Sequence, residues 1–186
     1  MITLADAKLH LRLIADLAAV GDDTSEDSLL EALIEAAYHH AEARTCMALR
    51  QRSETLVLDE FPAGDSPIQL PWTPVTGVDA VDFIDLAGIG QSLEASALRL
   101  DSRPIYPTLA PSWGSQWPAT IAEPESVTIT ATVGPSTTPP DVRAALLLLI
   151  GHFYEHREAV VTGTIATDLP LGVEMLLAPH TIHAVG

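Results

Sequence analysis

The sequence predicts an α+β fold, on three observations. Residues 27–45 repeat apolar side chains at helical spacing. Residues 126–133 alternate Val or Ile with Thr at strand spacing. Residues 142–150 are an almost unbroken apolar run opened by Pro139 and Pro140. The expected architecture is N-terminal helices and a late apolar helix packed with a small antiparallel β region, plus a C-terminal arm. The expected boundaries are helices at about 3–16, 27–45 and 140–158 and a β-rich stretch at 53–133, all in one domain of residues 1–158, with the arm at 159–186.

Thr3 can cap the first helix, with Asp6 three residues later completing a capping box in which Asp replaces Glu or Gln. Gly21-Asp22-Asp23-Thr24-Ser25 reads as a turn. Leu29, Leu30, Leu33, Ile34, Ala37, Tyr38 and Ala41 form the buried stripe of the second helix, with Glu31, Glu35, His39 and Glu42 on the other side. The period then changes. Glu54–Asp59, Ile68–Leu70, Val78–Asp85, Leu98–Asp101 and Ser126–Val133 carry strand signals. Leu86-Ala87-Gly88 reads as a hairpin-like turn. Residues 102–126 hold many prolines plus Trp113 and Trp117, and are expected as an irregular loop or short edge pieces. The helix from Pro140 is apolar nearly all round, a pattern expected for burial on most sides, in the core or against neighbouring subunits.

Composition narrows the function classes. Hydrophobic residues make up 47% of 186 residues, enough for a sizeable core. No apolar run approaches the roughly 18–20 residues of a membrane-spanning helix. Charges inside the first apolar stretch make it read as a mature helix rather than a secretion signal. Cys46 is the single cysteine, so no internal disulfide and no cysteine-based metal site is expected. The formal net charge is −16, from 25 acidic residues against 9 Lys and Arg, with Lys8 the one lysine. Such a surface does not wrap DNA, because it cannot replace phosphate counterions, although it can line a passage through which DNA slides.

Motifs for catalysis are weak. His152 and His156 stand four apart on one helix face, the spacing of a zinc pair, but Phe153 occupies the place where the zinc-protease motif needs Glu. Polar packing at a helix end is the better reading, and no metal, cofactor or catalytic residue is assigned. His180 and His183 fall in a tail, and His39 and His40 read as solvated residues of the second helix. No G-x-S-x-G elbow, phosphate loop or dinucleotide fingerprint occurs. Asp22/Asp23 and Asp82/Asp85 sit where acids are ordinary, and the latter two would face opposite sides of a strand. Arg103 is the nearest basic residue in sequence to the tryptophans of the 102–126 loop, which favours packing or subunit contact over binding of a nucleic-acid strand.

Taken in order, the motifs resemble the head–tail connector (adaptor) family of long-tailed phages and gene transfer agents. The segments are Leu4-x-x-Ala7-Lys8-x-His10-Leu11-Arg12, Asp27-x-x-Leu30-x-x-x-Ile34-x-x-Ala37 with Ala41-Glu42, and Leu58-Asp59-x-Phe61-Pro62. They continue with Ile68-x-Leu70-Pro71-x-x-Pro74-Val75, Phe83-Ile84-Asp85-x-x-Gly88, Ala145–Leu149 with Gly151–Glu158, and Leu169-Pro170-x-Gly172-Val173-x-x-Leu176-Leu177. Together they cover roughly residues 2–180. The stretch between Leu17 and Ser25 is longer than the family pattern, and the tryptophan-bearing segment differs in detail.

The resemblance implies a non-enzymatic structural subunit of the virion, assembled in the host cytoplasm and placed at the head–tail junction. It implies a ring, usually of about twelve copies, beneath the portal protein. That ring extends the DNA exit channel and meets a neck or tail protein such as a stopper or tail terminator, with no sequence-specific DNA binding, no membrane and no cofactor. In that setting residues 159–186 are expected as the portal-docking arm, through Leu169, Val173, Leu176 and Leu177. Asp22, Asp23, Glu26, Asp27, Glu31 and Glu35 are the candidate lumen-lining acids. The alternatives are another ring-forming neck component or, further off, a metal-dependent hydrolase using His152 and His156.

Overall fold

The computed structural model describes residues 1–14, 24–103, 105–121, 123–156 and 171–182. The chain divides into two compact units: a helical unit of residues 1–49 and 137–186, and a β unit of residues 50–136. Both helices and antiparallel sheets are present, as an α+β fold requires.

In the helical unit, α1 (Leu4–His10) starts with the expected capping box: the Asp6 N–H donates to Thr3 Oγ1, and the Thr3 N–H donates to Asp6 Oδ2. It is shorter than the expected 3–16, because residues 11–14 form turns with Arg12 at φ +59°. The second helix, α2 (Asp27–Thr45), has the expected bounds and ends on Cys46 in the left-handed conformation. It buries Leu30, Ile34, Ala37, Tyr38 and Ala41. The late helix α3 (Pro140–Glu155) buries Val142, Ala145, Leu146, Leu149 and Ile150 against that stripe. Each such aliphatic side chain contributes roughly 1.5–3 kcal/mol of transfer free energy when fully buried. Between Val142 and Ile150 only Leu148 is exposed, and the other positions are buried or half-buried, so this part of α3 is covered on most sides, as expected.

Of the expected arm, residues 171–182 are described. A short α4 (Leu171–Leu177) places Val173 and Leu177 in the same core as Ile34, Leu146 and Leu149. Arg44 of α2 grips Glu174 with two guanidinium nitrogens at 2.6–3.0 Å. The Ile182 N–H donates to Thr45 O. Residues 171–182 are thus part of the helical unit, and the expected boundary at 158/159 lies outside the described residues.

The β unit contains two antiparallel sheets. One has strand order β1-β7-β3-β4, built from β1 (Arg52–Leu58), β3 (Val75–Ile84), β4 (Gly90–Ser92) and β7 (Val127–Val133). The strongest strand signal in the sequence, β7, lies between β1 and β3, with Val127, Ile129, Ala131 and Val133 all buried on one face. The other sheet has order β2-β6-β5, from β2 (Ile68–Gln69), β6 (Thr108–Pro111) and β5 (Leu98–Asp101). The 102–126 stretch therefore supplies one strand, β6, besides its turns. Asp85 organises the β3–β4 turn by accepting from the Ala87 and Ile89 N–H groups and from Gln91 Nε2. The Ile89 backbone bond, with Gln91, holds its carboxyl below the ordinary value of 3.8.

Candidate functional site

Among the described residues, no group of three or more His, Cys, Asp or Glu is placed to hold a metal. His152 and His156 stack on each other with ring centroids 4.5 Å apart. His156 Nδ1 lies 3.0 Å from the His152 carbonyl oxygen, so that nitrogen is occupied by the helix end. His40 is half-buried and meets Phe153 edge-on, rather than standing in solvent as expected, while His39 is exposed. His180 is not in a tail: its Nε2 lies 2.7 Å from Asp141 Oδ2, tying the C-terminal segment to the first turn of α3. That bond is the main reason the Asp141 carboxyl sits below 3.8. His183 lies outside the described residues.

The candidate lumen acids divide. Asp22 and Asp23 lie outside the described residues. Glu26 accepts a hydrogen bond from the Tyr154 hydroxyl, and Asp27 pairs with the buried Lys8, so both serve contacts inside the helical unit. Glu31 and Glu35 are exposed, one helical turn apart on α2. Of the candidate docking residues, Leu169 lies outside the described residues, Val173 and Leu177 are in the core, and Leu176 is partly buried against it. The side chains α4 leaves outside are Leu171 and Met175, 82% and 77% exposed. Sequence reading missed them because a seven-residue helix gives too few turns to assign its inner face.

The tryptophans also divide. Trp117 is buried, stacked on Phe61 at 4.7 Å, and donates through Nε1 to Ser66 O. Trp113 is 85% exposed, and the Arg99 guanidinium lies over its ring, 3.7 Å from the centroid. The β5–β6 ladder, pairing Leu98 with Pro111 and Arg99 with Ala110, is what brings Arg99 to Trp113. Arg103 is engaged beside them, its guanidinium donating to both carboxylate oxygens of Asp101. Those bonds pull the Asp101 carboxyl down to about 2. The only signal for Arg99 was the strand itself.

These features are those of a protein built for macromolecular contact: a capped and ion-paired helical unit, a β unit with an exposed aromatic, and unpartnered apolar residues on α4. No family model matches the sequence, and no curated protein matches it. Solved structures do. The chain is similar to a chain in the neck of an empty gene transfer agent particle under C6 symmetry, with 28% identity and TM-score 0.74, covering 100% of this chain and 92% of that one. It is similar to a chain in the virion of the native gene transfer agent particle, at 28% identity, TM-score 0.71 and the same coverage. A third match is to the neck of the native particle under C12 symmetry, at 26% identity and TM-score 0.67, covering 100% of this chain and 96% of that one. These neighbours are consistent with the head–tail connector family that the sequence resembles.

Proposed function

We propose that this chain is a non-enzymatic head–tail adaptor of a phage-like particle, forming a ring beneath the portal, extending the DNA exit channel and joining the capsid to the neck or tail. The observation that carries the reading is end-to-end similarity to neck components, above 25% identity, with nearly the whole of each neighbour covered. The C6 and C12 symmetries of those particles favour a ring over a monomeric role.

In this reading portal docking belongs to the 159–186 stretch, through the residues α4 leaves outside, Leu171 and Met175. Among the candidate lumen acids, Glu31 and Glu35 are exposed on α2, and in this reading their like charge helps the polymer slide. Native mass measurement of the chain, alone and with its portal, tests the assignment. A ring that forms on the portal and then takes a neck protein supports it. A ring that binds only the distal end of a completed neck points instead to a stopper or tail terminator, and a chain absent from purified particles overturns the reading.

A further inference from the structure

The three-stranded sheet carries an open cleft of about 630 Å³, lined by Pro67, Arg99, Asp101, Arg103 and Trp113. We propose that this cleft is the socket by which one copy of the chain grips the next, taking a carboxylate-bearing segment of the neighbouring copy against Trp113 and Arg99. The inference rests on the ring reading above and adds the surface and its chemistry.

Trp113 is held in place before any partner arrives. The Ser112 N–H donates to Ala97 O, the Ser112 hydroxyl to Ser96 O, and the Ser115 N–H to Ser112 O. Gly114, at φ +81°, turns the chain immediately after the ring. An aromatic that is both exposed and fixed loses little entropy on contact, and Trp and Arg are the residues that most often dominate protein interfaces.

Charge selects the partner. Lys8, Arg44, Arg52, Arg103 and Arg143 each sit within 2.9 Å of a carboxylate oxygen in their own unit. Arg99 instead stands over Trp113, its guanidinium carbon 3.7 Å from the ring centroid, with Asp101 feeling its charge at longer range. In the cleft two guanidiniums face one carboxylate, Asp101, which Arg103 already satisfies. Copies carrying −16 each repel one another, so neighbours need a site where one offers a cation. With 25 acidic residues against 9 Lys and Arg, acids are the charged side chains a neighbouring copy has most of to offer. A contact between two different patches is also what a closed ring requires. Duplex DNA fits less well: phosphate binding takes several uncommitted cations, and a duplex offers no open base face to Trp113.

The test places a photoreactive benzoylphenylalanine at position 113 in otherwise intact chains assembled with the portal, and maps the adducts. The expected product is a dimer of the 19.8 kDa chain, cross-linked to a peptide of the same sequence containing Asp or Glu. Adducts to the portal, to another neck protein or to DNA, or no adduct in an assembled ring, overturn the inference while leaving the ring reading intact. A chain that never enters a ring overturns both. Trp113→Ala and Arg99→Glu should each weaken ring formation by roughly tenfold or more, with the circular dichroism melt unchanged for the Arg99 variant. Rings that form at wild-type concentration in both variants would also defeat it.

Discussion

Lys8 and Asp27 form an ion pair inside the helical unit, Nζ to Oδ1 at 2.5 Å, with the lysine side chain only 2% exposed. The pair ties α1 to the first turn of α2. It also commits Asp27 to a contact within the helical unit. Lys8→Met should cost about 2–3 kcal/mol, below the range of a fully buried pair because Asp27 keeps some contact with water. The double variant Lys8→Met/Asp27→Leu should recover much of that loss. Urea unfolding followed by circular dichroism at the helical band measures both.

Tyr38 is fully buried, and its hydroxyl accepts a hydrogen bond from the Ile2 N–H at 2.9 Å. Tyr38→Phe keeps the ring packing but leaves that buried donor without its acceptor. The expected loss is about 1–3 kcal/mol, read by the same helical signal and by faster amide exchange at Ile2.

Gly134 lies at φ +82°, and a methyl group added there would stand 2.1 Å from the Arg50 carbonyl oxygen. Gly134→Ala therefore combines left-handed backbone strain with a backbone clash. A destabilisation of about 2–3 kcal/mol or more is expected. All three tryptophans, Trp72, Trp113 and Trp117, lie in the β unit, so their fluorescence reports this variant selectively.

Acid should weaken both units from about pH 4 downward. Burial works to raise the Asp6 carboxyl, but hydrogen bonds from Arg143 and Thr3 outweigh it and hold the group below 3.8. A depressed carboxyl contributes stability that is complete above its unfolded value and is lost as pH falls through the folded one. For Asp6 that window lies below about pH 3.8, and for Asp101 it runs down to about 2. Asp6→Asn should flatten the low-pH slope of the helical signal, and Asp101→Asn that of the fluorescence signal. Slopes unchanged in both variants would contradict these assignments.

Portal docking through α4 predicts that Leu171→Asp/Met175→Asp lowers portal affinity while thermal stability holds, because both side chains are exposed in the isolated chain. Deleting residues 160–186 is the poorer experiment. It removes Val173 and Leu177 from the core and so confuses docking with folding.

Where structure depends on neighbours in sequence, it was legible. The Thr3–Asp6 box, the bounds of α2, the turn at Gly88 and the alternation of β7 each involve residues a few positions apart. Periodicity gives the face of an element but not its partner. Nothing local says that β7 pairs with both β1 and β3, that Glu174 returns to Arg44, or that Arg99 meets Trp113. The late helix was legible too: its nearly unbroken apolar run is covered on most sides, with Leu148 alone exposed between Val142 and Ile150. The candidate site residues were chosen for composition, and the roles Asp27, Val173 and Leu177 have inside the helical unit depend on partners distant in sequence.

The helical unit is written in two pieces, residues 1–49 and 137–186, with the whole β unit between them. A chain leaving the ribosome exposes the apolar stripe of α2 long before α3 and α4 exist to cover it. All 87 residues of the β unit, 50–136, must be made first. That unit has its own sheets and can fold while the stripe waits, bringing residues 49 and 137 under control and shortening the loop that α3 must close. The order of synthesis thus delays completion of the helical core until α3 and α4 are made. The exposed face of α4, which rests on that core, is therefore withheld from a half-made chain.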